Sequence, residues 1–232
     1  MQKILFFILM YGISIPQSNS QVKQKSFKMD DKSRIKYSIY LPQKHKKADS
    51  LTLVIALHWG WGKEKLPDNF SEKFMDSFAL PVFENNKTII IAPNCPEKSW
   101  IENKSVSTVL ALRKYCIEKY NIDTSSIVIT GFSLGGIGTW YLATHYSNLF
   151  NYAIPVAGYP EKGWLDQTGQ IRILAVNSID DEIIPFEKIN TAVEYLKSKN
   201  TDISMKKLHG IGHYTIDFFI KPVRTIFLNN KL

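Results

Sequence analysis

Apolar residues along this chain fall into two kinds of run. LTLVIALH (51–58), KTIIIAP (87–93), SIVITG (126–131), YAIPVAG (152–158) and IRILAVN (171–177) are short, nearly continuous and rich in β-branched residues. That is the pattern of strands buried on both faces. ISMKKL (203–208) reads as one more strand. Between these runs the apolar positions recur every three to four residues, as on one face of a helix. FSEKFMDSFAL has this spacing, as does STVLALRKYCIEKY, which offers Val109, Leu110, Leu112 and Cys116 for packing. So do Leu134 to Tyr146 and the stretches near Phe186–Lys199 and Tyr214–Leu228. Strands alternating with helices predict an α/β fold, with a mostly parallel central sheet covered on both faces. VKQKSFKMDDKSRIKYSIYLP reads instead as two strands around a turn at Asp30-Asp31, an antiparallel N-terminal hairpin. No repeat, low-complexity stretch or Pro/Gly/Ser linker divides residues 21–232, which read as one domain.

The first twenty residues follow neither pattern. Lys3 precedes ILFFILMYGISI, an apolar run of about a dozen residues broken by Pro16, and Ser18-Asn19-Ser20 places small residues before Gln21. This is the layout of a secretory signal peptide, 1–20, with a mature chain from about Gln21. The run is shorter than the roughly 20 residues that cross a bilayer, and no later stretch predicts a membrane span.

Composition changes the picture little. At 44% hydrophobic and 22% charged, the 232-residue chain has ordinary globular values and can bury a large core. The net charge of +8 comes from scattered lysines, with one cluster at Lys44, Lys46 and Lys47. No nucleic-acid motif accompanies it, so the basic excess reads as solvated surface. The two cysteines, Cys95 and Cys116, are read as unbridged. A helix starting near Ser105 would carry Cys116 about 16 Å along its axis, beyond the roughly 7 Å reach of a disulfide. Asn69, Asn86 and Asn103 each open an N-x-S/T sequon.

In a parallel sheet, ligands collect at the carboxyl ends of the strands. His58 to Gly62, Ser133, Asp180 with Asp181, and His213 all follow predicted strands. GFSLGG (131–136) places Ser133 between strand and helix as G-x-S-x-G, the pattern of a nucleophile elbow. Gly131 and Gly135 remove side chains that would crowd a sharp turn, so the serine can stand out from it. The following helix turns its positive end toward the site. A serine, then an acid, then a histidine is the chain order of an α/β-hydrolase triad. Among the histidines, His45 falls in a lysine-rich loop and His145 within a helix; His209 competes with His213, and GIGHY favours His213 by its place just before a helix. No H-E-x-x-H or similar spacing marks a metal site.

The segment NIDTSSIVITGFSLGGIGTWYLATHYSNLFNYAIPVAG resembles secreted α/β-hydrolase esterases. That group includes feruloyl- and acetylxylan-esterase-like proteins, polyhydroxybutyrate-depolymerase-like proteins and the related "predicted peptidases". APNCPEKSW resembles their strand-then-tryptophan segment, and NSIDDEIIP their acid loop H-G-x-x-D-x-x-V-P. Aligning that proline on Pro185 selects Asp181 rather than Asp180. The likeness runs from about Ile35 to the last helix and is strongest around Ser133. Two departures stand out: Asn177-Ser178 replaces His-Gly, and HWGWG (58–62) places Trp59 in a glycine slot of the oxyanion loop.

The resemblance implies a serine esterase working through Ser133, His213 and Asp181, with Leu134 and Gly60 supplying oxyanion N–H groups and no metal or organic cofactor. It implies a small-molecule or polysaccharide-linked ester as substrate. Trp59, Trp61 and Trp100 flank rim loops and are expected to line the pocket, where aromatic walls suit a sugar or phenolic acyl group. Two readings compete: a serine peptidase on the same fold, and a non-catalytic carbohydrate- or partner-binding module. Oligomeric state is not legible.

Overall fold

The computed structural model describes residues 22–29, 31–43, 49–62 and 65–230. The expected leader, Asp30, His45 and the cluster Lys44, Lys46 and Lys47 lie outside the described residues. Among the described residues eight strands are formed: β1 (Val22–Lys28), β2 (Arg34–Tyr40), β3 (Leu51–Leu57), β4 (Thr88–Pro93), β5 (Ile122–Phe132), β6 (Tyr152–Val156), β7 (Arg172–Ser178) and β8 (Ile203–Leu208). They build one sheet in the order β1-β2-β4-β3-β5-β6-β7-β8. β1 pairs antiparallel with β2, and β2 antiparallel with β4. Every other pair, from β4–β3 through β7–β8, is parallel. This is the mixed sheet with an N-terminal hairpin that the hydrophobic pattern predicts.

The continuous apolar strands bury both faces because helices cover both. All seven residues of β3 are buried. Its Leu53, Ile55 and Leu57 join one core cluster, while Val54 and Ala56 join the other, as the two-residue period of a strand requires. The first cluster takes in helices α3 (Asn103–Lys119), α4 (Leu134–His145) and α5 (Phe186–Ser198). On α5 the inward residues are Ile189, Ala192, Val193 and Leu196, a helical stripe. The second cluster is covered by α6 (Asp217–Asn229) and by the segment Phe70–Phe83, where α1 (Phe70–Phe74), a π-helical turn (Met75–Ala79) and α2 (Leu80–Phe83) follow without a break.

Boundaries differ from the sequence reading where side chains intervene. α3 begins at Asn103, and the Glu97 carboxylate accepts the Ser105 N–H near its start (2.9 Å). β5 reaches back to Ile122, which pairs with Leu51 of β3; the polar residues DTSS form an irregularity in the ladder before pairing resumes at Ile127 and Leu53. α6 begins at Asp217 rather than Tyr214, because Thr215 closes a turn onto the Gly212 carbonyl (N···O 3.2 Å). Cys95 and Cys116 are both free and buried. Among the described residues no helix is long and apolar enough to cross a membrane.

Candidate active site

β5 ends at Phe132 and α4 begins at Leu134, so Ser133 must reverse the chain in one residue. It does so at φ 56°, ψ −114°, a region that L-residues enter only when surrounding structure holds them there. The surroundings leave no alternative. A Cβ on Gly131 would lie 2.4 Å from the Gly135 carbonyl oxygen, and one on Gly135 would lie 2.0 Å from that of Leu57. The Ser133 N–H donates to Val156 (3.0 Å). The N–H of Leu134, first in its helix, has no intrahelical acceptor.

Three rim loops bring distant residues together. The Ser133 hydroxyl lies 2.8 Å from His213 Nε2, and His213 Nδ1 lies 2.8 Å from Asp181 Oδ2. The second oxygen of Asp181 accepts the N–H groups of Ile183 (2.9 Å) and Ile184 (2.7 Å). Burial pushes the Asp181 carboxyl up. Hydrogen bonds from His213, Ile184 and Ile183 outweigh it and hold the pKa below the usual carboxylate range. The carboxylate is therefore ionised at neutral pH and fixes the ring with Nδ1 protonated and Nε2 open toward the serine. Both Asp181 and His213 are buried. Of the competing residues, Asp180 turns to the Gly210 N–H (2.6 Å), and His209 is exposed on the same loop.

Ser133 and His213 open into a cavity of about 350 Å³ whose other walls include Trp59, Gly60, Phe132, Ile183 and Tyr214. Gly60 flanks the elbow: a Cβ there would meet Leu134 Cδ2 at 3.7 Å. A larger hollow of about 460 Å³, between Pro160–Asp166 and α5, holds none of Ser133, Asp181 and His213. Sequence reasoning missed Ile183 and Tyr214, whose only signal was their position beside Asp181 and His213.

Two of the three expected tryptophans stand elsewhere. Trp59 lines the cavity, with its ring edge-on to Phe74 at 5.2 Å. Trp61 lines a neighbouring hollow with Lys65, Pro67 and Phe70, not the one that holds Ser133. Trp100 is fully buried; its indole N–H donates to the His58 carbonyl (2.9 Å), and it fills the space left by Gly138, whose Cβ would lie 2.3 Å from Trp100 Cβ. It therefore wedges the rim from below and does not face substrate. His58 is equally internal. Its Nε2 accepts the Cys95 N–H (3.0 Å) and its Nδ1–H donates to the Trp59 carbonyl (2.7 Å). Burial pulls its pKa down to about 4. It is a neutral strut beneath the loop at Trp59–Gly62, with neither ring nitrogen free for proton transfer.

The sheet order, the strained serine at the end of β5 and the loops carrying Asp181 and His213 define an α/β-hydrolase fold. Residues 86–229 match the phospholipase/carboxylesterase family, and the chain belongs to that family. It is similar to a protein of Aspergillus clavatus named "Probable feruloyl esterase C", with 28% identity over 152 residues, 65% of this chain and 56% of that one. It is similar also to acetylxylan esterase A of Aspergillus oryzae, with 24% identity over 168 residues, 67% of this chain and 52% of the relative. The chain thus spans about half the length of the curated relatives it matches. A thermostable esterase of known structure superposes with a TM-score of 0.71 over 91% of this chain and 60% of its own, at 22% identity, and shares the fold.

Proposed function

We propose that this protein is a serine esterase that cleaves carboxylic esters through Ser133, His213 and Asp181 by way of an acyl-enzyme. The observation that carries this reading is the continuous chain of two 2.8 Å hydrogen bonds from hydroxyl to imidazole to carboxylate. In the first half-reaction Ser133 Oγ attacks the ester carbonyl while His213 Nε2 takes its proton. The positive imidazole is stabilised by Asp181, which stays ionised. The N–H groups of Leu134 and Gly60 receive the developing oxyanion; loss of one such donor typically slows turnover by about 10²–10³. His213 then gives its proton to the leaving alcohol. Water enters and attacks the acyl carbonyl as His213 takes its proton; the acyl–Oγ bond then breaks, the acid leaves and His213 returns the proton to Ser133. None of these steps calls for a metal or organic cofactor.

The cavity supports an acyl group of modest size, since Trp59, Ile183 and Tyr214 offer apolar contact around the serine. The names of the relatives, feruloyl and acetylxylan esterase, favour an acyl group carried on a plant polysaccharide or a smaller sugar. The apolar run before Gln21 supports export, with residues 21–232 forming the catalytic domain.

The test uses a fluorophosphonate probe and short p-nitrophenyl esters on the purified chain and on Ser133→Ala. The wild type is expected to be labelled and to turn over ester. The variant is expected to resist labelling and to lose at least about 10³-fold in kcat. Equal labelling or equal turnover would overturn the assignment of Ser133, and activity on amides without activity on esters would replace esterase by peptidase. Acetylated xylan and feruloylated sugars, assayed beside p-nitrophenyl butyrate, then identify the natural acyl group.

A further inference from the structure

The histidine of the proposed triad sits on an irregular loop, 209–216, between β8 and α6. His209, Gly210, Tyr214 and Thr215 of this loop are exposed. An imidazole that must hold 2.8 Å contacts on both sides needs its backbone fixed as well as its ring, and loop contacts of this kind are easily lost. Three successive acidic residues of the facing loop meet that need at three points. Asp180 Oδ2 accepts the Gly210 N–H (2.6 Å), Asp181 Oδ2 accepts from His213 Nδ1 (2.8 Å), and Glu182 Oε2 accepts the His213 backbone N–H (2.9 Å). Gly212 makes room for the last of these, since a Cβ there would lie 3.1 Å from Glu182 Oε2.

We infer that Glu182 is a positioning residue for His213, a role that rests on the triad reading above. Asp181 holds the imidazole through its side chain; Glu182, the next residue, holds the same histidine through its main chain. The two carboxylates belong to one short segment, itself tied by the Ile183 and Ile184 N–H bonds to Asp181 Oδ1. A shift of the acid loop therefore carries the histidine with it, and the distance from imidazole to carboxylate is preserved. Without Glu182, His213 keeps its ring contact but gains freedom at its Cα. The ring then spends less time within proton-transfer reach of Ser133.

The experiment compares wild type, Glu182→Ala and Glu182→Gln with p-nitrophenyl butyrate, and reads kcat, KM and the rate of fluorophosphonate labelling. Circular dichroism melts of each variant establish that it is folded at the assay temperature. Glu182→Ala is expected to lower kcat and the labelling rate about tenfold, with KM within about twofold. Glu182→Gln keeps an oxygen that accepts the His213 N–H, and is expected to recover to within about threefold of wild type. Ser133→Ala and His213→Ala run in parallel: their loss of turnover shows the triad reading intact, and wild-type turnover by either would sink that reading whatever Glu182 does. With the triad intact, Glu182→Ala at wild-type kcat overturns the proposal. So does a Glu182→Gln as slow as Glu182→Ala, which would make the charge rather than the bond responsible, or a loss confined to KM.

Discussion

Two glycine-bearing loops meet at the cavity, and they are shaped in opposite ways. In the elbow, GFSLGG, the glycines are sterically required. The Cβ positions of Gly131, Gly135 and Gly136 would each fall within 2.4 Å of a backbone carbonyl oxygen. In the neighbouring loop, HWGWG, a Cβ on Gly60 would make only ordinary contacts at 3.7 Å, and one on Gly62 would meet nothing within 4 Å. That loop takes its form from below. The His58 imidazole ties the Trp59 carbonyl to the Cys95 N–H, and the Trp100 indole holds the His58 carbonyl. Ser133 is thus placed by excluded volume among rigid backbone atoms, and the neighbouring loop by hydrogen bonds from buried side chains. The same residue type carries different information in the two loops.

The sharpest way to break the contrast is Gly135→Ala. Its methyl would lie 2.0 Å from Leu57 O, 2.6 Å from Leu57 C and 2.8 Å from His58 O. All three are backbone atoms at the carboxyl end of β3, an interior strand, so no side chain can swing aside. The expected cost exceeds about 4 kcal/mol, the range reserved for overpacking that cannot relax. A melt followed by circular dichroism should show loss of the cooperative transition or a Tm lower by about 10 °C or more. A variant melting with the wild type would mean that β5, α4 and β3 do not approach as closely as described.

The elbow was legible in the sequence because steric exclusion leaves a mark: only glycine fits, so glycine is written there. The sheet was legible for a similar reason, since strands buried on both faces carry few polar residues. The hydrogen-bonded side left no such mark. His58 follows an apolar strand just as a reactive rim histidine would, and only its two occupied ring nitrogens show otherwise. Trp100 follows β4 at the level of the site, yet the notch left by Gly138, 38 residues further along the chain, draws it inward. Glu182 reads as one more charged loop residue until the His213 N–H is found on it. Boundary errors have the same origin. α6 starts three residues later than its apolar spacing implies, because a local turn at Gly212–Thr215 competes for the chain.

The hydrogen-bonded side should be the acid-sensitive one. Burial pulls the His58 pKa from 6.5 down to about 4, so the unfolded chain binds the proton more readily than the native one. Stability from this group is full above pH 6.5 and falls as pH drops through that value toward 4. The loss amounts to roughly 2–3 kcal/mol between pH 7 and pH 4.5. Asp181 titrates lower, since its pKa lies below 3.8 in the native state; what it contributes is lost only as pH falls through that lower value. Urea unfolding of wild type and His58→Phe at pH 7 and pH 4.5 separates the two. The variant should be less stable at pH 7, having orphaned the Trp59 carbonyl and the Cys95 N–H at about 1–3 kcal/mol each. Its further drop at pH 4.5 should be smaller by the His58 share. An equal drop in both proteins would assign the acid sensitivity elsewhere.

The smallest effect is the most discriminating, because it falls on the same kind of residue as the largest. Gly60 does not occupy the left-handed backbone region, and the nearest atoms to an added Cβ are Leu134 Cδ2 at 3.7 Å and Leu134 Cβ at 3.8 Å. Gly60→Ala should therefore keep the fold and, by restricting the unfolded chain, gain up to about 1 kcal/mol. The substitution preserves the Gly60 N–H, the group assigned to the oxyanion, so kcat on p-nitrophenyl acetate should stay within about threefold of wild type. A bulkier acyl ester should suffer more, since one added methyl in an apolar pocket is worth about 1–3 kcal/mol of discrimination. If instead acetate turnover collapses while the protein melts normally, the loop is held by Gly60 itself and not by the His58 strut. The two sides of the cavity would then be built on one principle, and the contrast between them would fall.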